Sequence, residues 1–235
     1  MKAVILAAGM SSRLYPRTLS KPKCLLEIKE GLTIIDYQIE TLRLIGISDI
    51  VVATGFKSEK IKEVLKDSVR YTDHNNYKTT NNLHTVHDLQ RELNQDVILL
   101  FSDVVAHKDI IYECVNSKDD FNLIIDLDSK KEDTMRAIIS DNSIIGLGNY
   151  IRPSNCSGNF IGISKISRNG LELLNPIISR LVKRKELCTD YYTKGIDNLA
   201  RESTQICYSI TNGLFWCEVD TEADYTWLKQ NFPIE

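Results

Sequence analysis

The chemistry is densest in Leu6-Ala7-Ala8-Gly9-Met10-Ser11-Ser12-Arg13-Leu14-Tyr15-Pro16-Arg17-Thr18, with Lys21-Pro22-Lys23 close behind. An apolar run ends there in small residues, so backbone can approach a ligand without side chains in the way. Successive N–H groups in a Gly/Ser loop make a concavity for anions, and the Arg13 guanidinium can grip phosphate oxygens in pairs. Lys23 returns a second positive charge just before the next apolar stretch. Together these groups suit a triphosphate. The Gly-Lys-Ser/Thr of a Walker loop is absent, and a dinucleotide fingerprint needs three spaced glycines where only Gly9 stands.

Two aspartates stand out by position. Asp103 follows the apolar stretch Val97 to Phe101, where a carboxylate is costly unless it binds a cation or caps a turn. Asp220 precedes Thr221, Glu222 and Asp224, and on its residues alone it reads as the cap of a helix. His84 and His87 are three apart on one helical pattern, a spacing that metals use, but without a third ligand they read as solvent-facing. The six cysteines (Cys24, Cys114, Cys156, Cys188, Cys207, Cys217) contain no CxxC pair. They read mostly as small apolar fillers in a reducing, cytoplasmic compartment.

The elements that must position these residues alternate. Ala3 to Ala7, Asp49 to Thr54 and Val69 to Thr72 read as strands, and Asp96 to Val105 as the most apolar strand. Between them lie helical patterns over Thr33 to Ile45, from Ser58 as cap, and from Leu83 to Leu93. This β-α-β-α order predicts a mainly parallel sheet flanked by helices. After Phe121 the pattern changes to a strand (Phe121 to Asp126) and a hairpin over Arg136 to Leu147 turning at Asp141-Asn142. Three more strands follow, Phe160 to Ile166, Cys207 to Thr211 and Trp216 to Val219. Helices fill Gly170 to Val182, Tyr191 to Glu202 and Thr221 to Gln230.

The 235 residues, 43% hydrophobic and 26% charged, fit one globular α/β unit. A net charge of −3 gives no broad footprint for nucleic acid, so an anionic ligand must be held by a local basic cluster. No apolar run is long enough to span a bilayer, and the start reads as a buried strand rather than an export signal.

The pattern Leu-Ala-Ala-Gly-x-x-Ser-Arg-Leu-x-Pro-x-Thr-x-x-x-Pro-Lys-x-Leu resembles the signature of the sugar-nucleotidyltransferase superfamily, with Ser11 in place of the usual second glycine. Asn81-Asn82-Leu83, Leu99 to Asp103, Gly158 to Gly162 and Trp216 to Tyr225 extend the resemblance over most of the chain. Together they look most like small bacterial phosphocholine- and phosphonate-type cytidylyltransferases. The resemblance implies a Rossmann-like, three-layer α/β fold of the nucleotide-diphospho-sugar transferase type, with a mixed, mainly parallel sheet. It implies one domain over 1–235, with a nucleotide-binding half (1–120) and an acceptor-binding half (121–235).

The implied reaction moves CMP from CTP to a small phosphorylated alcohol, amino acid or phosphonate, with Mg²⁺ as cofactor and pyrophosphate released. Arg13 and Lys23 are the catalytic cations, and Asp103 and Asp220 the metal ligands. Leu6, Ala7, Ala8, Gly9, Met10, Ser11, Ser12, Arg13, Lys23, Asn82, Thr85 and Asp103 form the nucleotide site. Asn81-Asn82 reads equally as a helix cap. Asp126, Asn159, Tyr191, Tyr192, Asp197 and Trp216 are acceptor-site candidates, because aromatics with a carboxylate can enclose an ammonium group. The same aromatics equally suit a core. Partners are thus CTP or another NTP and the acceptor, with a homodimer as the candidate assembly and neither nucleic acid nor membrane insertion. The alternatives are a UTP-, dTTP- or GTP-dependent sugar-1-phosphate enzyme, a glycosyltransferase, and a nucleotide sensor without catalysis. A glycosyltransferase usually wants Asp-x-Asp, whereas this strand ends Ser102-Asp103-Val104-Val105.

Overall fold

In the computed structural model, residues 1–128 and 134–233 are described. The chain runs β1 (Lys2–Ala7), β2 (Glu27–Lys29), β3 (Leu32–Thr33), α1 (Ile34–Leu44), β4 (Ile50–Thr54), α2 (Ser58–Leu65), β5 (Arg70–Asp73), α3 (Asn82–Asp88), β6 (Val97–Phe101) and β7 (Val104–Ala106). It continues through α4 (Lys108–Asn116), β8 (Phe121–Asp126), β9 (Arg136–Ser140), β10 (Ser143–Gly148), β11 (Gly158–Ile166), α5 (Arg168–Leu181), α6 (Thr193–Arg201), β12 (Cys207–Ile210), β13 (Trp216–Glu218) and α7 (Glu222–Asn231). The main sheet has the order β10-β9-β11-β6-β1-β4-β5, with β8 also on β11 and β12 on β8.

β6, β1, β4 and β5 are parallel. β1 and β4 read as unbroken apolar runs because both of their faces are covered. Helices α3, α5 and α6 bury their apolar faces on one side of the sheet, and α1, α2 and α4 on the other, giving three layers. Among the described residues no helix is long and apolar enough to cross a membrane.

Local chemistry accounts for many boundaries. Thr33 and Asp36 close a capping box on α1, and Thr221 and Asp224 do the same for α7. Asp141 and Asn142 both take positive φ (49° and 59°), the pair of left-handed residues that a tight two-residue hairpin turn between β9 and β10 requires.

Three expectations are corrected. The run Asp96 to Val105 is two strands, because the chain bends at Ser102-Asp103 and β7 leaves to pair with β13. The helix expected from Leu83 to Leu93 stops at Asp88, although Leu89 and Leu93 still reach the core. Lys57, with φ 54°, rather than Ser58 stands at the head of α2. α4 also went unread, as did the small β2–β3 hairpin, whose strands of three and two residues are too short to show a convincing period.

Candidate active site

β1 lies between two parallel neighbours, so the backbone leaving its carboxyl end opens into the crevice where α/β sheets bind ligands. Ser11 there adopts the left-handed conformation (φ 51°, ψ 47°) that a glycine would enter freely. The Thr18 hydroxyl donates to the Ser11 carbonyl at 2.8 Å, and Leu14 is buried in a small cluster with Leu26, Ile28, Val105 and Val219. The loop is thereby pinned at both ends while Arg13 stays exposed toward the crevice. A single helical turn, Lys23–Leu25, buries Cys24 and Leu25 and carries Lys23 back beneath it. Burial pushes the Cys24 thiol up to about 12, so it is no nucleophile.

Asp103 is placed by tertiary contacts. The Gln38 amide of α1 donates to the carbonyls of Phe101 (2.8 Å) and Val104 (2.7 Å), bracketing the bend that presents Asp103. β13 pairs antiparallel with β7 so that Glu218 lies opposite Val104, and the Val219 N–H donates to the Asp103 carbonyl at 2.9 Å. Glu218 and Asp220, two apart in an extended segment, therefore project toward Asp103 together.

Lys23 Nζ stands 2.6 Å from Asp103 Oδ2 and 2.8 Å from Asp220 Oδ1, and Arg13 Nη2 stands 2.9 Å from the same Asp220 oxygen. Burial alone would push the Lys23 ammonium down, but the two carboxylates outweigh it and hold its pKa above the ordinary range. Carboxylate oxygens of Asp103, Glu218 and Asp220 all lie within 4.8 Å of one another. The second Asp103 oxygen, Oδ1, is buried with no hydrogen-bond partner among the described residues. An all-oxygen donor set with one such unsatisfied carboxylate oxygen fits a hard divalent cation.

A cavity of about 820 Å³ opens over this cluster. Leu6, Ala7, Ala8, Gly9, Ser11, Arg13, Lys23, Asn82, Thr85, Asp103, Tyr191 and Asp220 line it. Asn81 is the cap of α3, its side chain accepting from the Asn82 N–H. The Asn82 side-chain carbonyl accepts from the Tyr192 N–H at 2.8 Å, which fixes the amide and leaves its NH₂ as the group for a ligand.

Several expected residues lie elsewhere. Met10 and Ser12 belong to the loop but not to the cavity wall, nor do Asp126, Asn159, Tyr192, Asp197 and Trp216 line it. Tyr192 is fully buried with its hydroxyl 2.9 Å from Ser164. Asp197 is buried and accepts from the Leu147 N–H, the Tyr150 hydroxyl and Arg201, which makes it a fastener of α6. Asp126 accepts from the Thr211 hydroxyl at 3.2 Å, and Asn159 pairs beside it within the sheet. Trp216 packs toward the core from β13. The histidine reading is corrected too: His84 and His87 are half-buried rather than solvent-facing.

The wall in that region is made instead by Phe101, Ser102, Thr134, Met135, Asn149 and Phe160. Glu218 carries no role in the sequence reading, although its alternation with Asp220 in an extended segment puts both on one face. Asn149 carries no local signal.

The family is decided by comparison. Residues 2–144 match the nucleotidyl transferase family. The chain belongs to that family. This nucleotidyltransferase is 30% identical over 250 residues to the CTP:phosphoglutamine cytidylyltransferase of Campylobacter jejuni, across 95% of the chain and 97% of that protein. A choline-phosphate cytidylyltransferase of Streptococcus pneumoniae is 36% identical over 101 residues, 42% of the chain and 43% of that protein. In fold it resembles the CTP:phosphocholine cytidylyltransferase from Streptococcus pneumoniae, with a TM-score of 0.83 at 21% identity over 99% of each chain. It also resembles a putative glucose-1-phosphate thymidylyltransferase from Bacillus anthracis, with a TM-score of 0.80 at 19% identity over 98% of this chain and 94% of that one.

Proposed function

We propose that this nucleotidyltransferase moves CMP from CTP to a small phosphorylated or phosphonate acceptor and releases pyrophosphate, with Mg²⁺ at Asp103, Glu218 and Asp220. The observation that carries the chemistry is the meeting of Arg13 and Lys23 with Asp103 and Asp220 at the floor of one cavity. CTP is favoured by the relatives, two of which are cytidylyltransferases named with CTP or choline phosphate.

An anionic acceptor oxygen is already nucleophilic, so no general base or covalent enzyme intermediate is required. It attacks the α-phosphorus in line, a new P–O bond forms, and the α–β bridging bond breaks with its electrons on pyrophosphate. Arg13 holds the β- and γ-phosphates. Lys23 lies between the α-phosphate and the acceptor anion and relieves their repulsion. A divalent cation would neutralise triphosphate charge here. The backbone of Leu6 to Ala8 faces the base, and the Asn82 amide donates to its acceptor atoms with Thr85 alongside.

Residues 1–235 act as one catalytic unit. Its halves meet at the site, because Glu218 and Asp220 from the second half join Asp103 beside the signature loop. Six cysteines with no disulfide among the described residues favour the cytoplasm. Pyrophosphate release, measured with each of four NTPs against phosphorylated alcohols, amino acids, sugars and phosphonates, tests the reading. Turnover with CTP and a small phosphorylated amino acid or alcohol is expected. Turnover with UTP and a hexose phosphate, and none with CTP, overturns it.

A further inference from the structure

His74 follows β5, is only 2% exposed, and belongs to the cavity wall without a role in the chemistry above. Its Nδ1 lies 2.6 Å from Asp88 Oδ2 and its Nε2 lies 2.8 Å from Thr80 Oγ1. A carboxylate only accepts, so Nδ1–H donates to Asp88, while Nε2 meets the Thr80 hydroxyl, which itself donates to the Asn76 carbonyl at 2.9 Å. Asp88 is the last residue of α3, and Thr80 stands just before its cap, Asn81. One imidazole thus ties both ends of α3. That helix has seven residues, too few to hold its own shape, so its geometry depends on such outside contacts. The face it presents to the cavity carries Asn82 and Thr85.

The surroundings make the same ledge rigid. The His74 N–H donates to the Thr54 carbonyl at 2.7 Å, continuing the β4–β5 pairing. Gly55 lets the following loop close on the signature segment, since a Cβ there would meet the Ala8 carbonyl at 2.7 Å and the Tyr77 Cβ at 3.0 Å. Tyr77 and Thr80 then face the cavity beside Ala8.

We propose that His74 is the positioning residue for nucleobase selectivity, holding Asn82 and Thr85 in register with the base through its paired contacts to Thr80 and Asp88. This rests on the CTP reading above.

The test is steady-state kinetics of the full chain with CTP and UTP. Loss of two buried hydrogen bonds predicts that His74→Leu raises the KM for CTP about tenfold and lowers the CTP-over-UTP ratio of kcat/KM by a similar factor. The kcat at saturating CTP and the KM for the acceptor should stay within about threefold. His74→Asn keeps the donor to Asp88 and should recover part of both losses, which a merely space-filling role would not produce. Thr80→Val removes the hydroxyl that meets both His74 and the Asn76 carbonyl and should lower the same ratio, so a folded Thr80→Val enzyme still tests the proposal if His74→Leu does not fold. A folded Thr80→Val or His74→Leu enzyme with wild-type KM and ratio overturns the proposal, as does a collapse of kcat with KM unchanged. Wild type that prefers UTP overturns the CTP reading alone, and the ratio, then inverted, still decides His74. Wild type that uses no NTP removes both.

Discussion

Lys23 sets the charge balance of the site. It is buried between two carboxylates, and breaking such a pair from one side leaves uncompensated charge that costs about 3 kcal/mol. Lys23→Met should therefore lower the melting temperature, recover part of it on adding Mg²⁺, and lose at least about a hundredfold in turnover. Scanning calorimetry with and without the metal checks the first two, and a melting temperature blind to Mg²⁺ counts against the cation site. Asp103→Asn and Asp220→Asn should each cut turnover by about a hundredfold or more with the fold retained, as read by pyrophosphate release and circular dichroism. Near-normal turnover in either removes that residue from the metal set. Gly9 gives a cleaner probe of the ligand, because among the described residues an added Cβ meets no atom within 4 Å beyond its chain neighbours. Gly9→Ala should fold normally yet raise the KM for the nucleotide severalfold, and an unchanged KM would mean that the triphosphate does not approach this backbone.

At the scale of elements, the segments that carry the carboxylates are held by their own termini. Asp224 accepts from the N–H groups of Asp220 and Thr221, so the capping box of α7 also orients the residue before it. Thr221→Ala should cost about 1 kcal/mol of stability and lower activity with it, since the cap and the Asp220 backbone share one acceptor. The other end of the sheet is fastened by charge. Glu92 accepts from Lys2 at 2.8 Å and from Arg70 at 2.8 Å, and Arg70 also pairs with Asp49, joining β1, β5 and the turn after α3. The Lys2 ammonium, outweighing burial and joined by Arg70, holds the Glu92 carboxyl below its ordinary 4.5. A depressed carboxyl contributes stability in full above its unfolded pKa and loses it as the pH falls through the folded value. Thermal stability should therefore decline as pH drops below about 4.5, and Glu92→Gln should flatten part of that decline; a variant with the wild-type pH profile shows that the network is not its source.

Across the whole molecule, the cavity is assembled where the parallel strands β1 and β6 meet the antiparallel strand β11. β11 bulges between Phe160 and Ser164, and Gly162 within it has φ +86°. A Cβ on Gly162 would meet the Phe101 ring at 2.7 Å, so this glycine permits the bend and the close passage of an aromatic that also lines the cavity. This coupling explains why the acceptor side was hard to read. Asp126, Tyr192 and Asp197 have types suited to ligand binding, but each is consumed by a partner brought from another element.

The amino-acid sequence by itself determined the parallel core, the signature loop, the Asn81 cap and the hairpin turn at Asp141-Asn142. Each of these is set by contacts within a few residues or by a periodic burial pattern. Ser11, too, kept the loop that glycine usually serves. Only the tertiary structure decided that the apolar run breaks at Asp103, and that Glu218 joins Asp103 and Asp220. It likewise turned His74 inward to brace α3. The first two outcomes depend on Gln38 reaching across from α1 and on β13 pairing with β7, and the third on the contacts of His74 with Thr54, Thr80 and Asp88. A side chain's type says what it can bond. Which partner it meets is settled by packing, where nearly all buried polar groups must be satisfied at once.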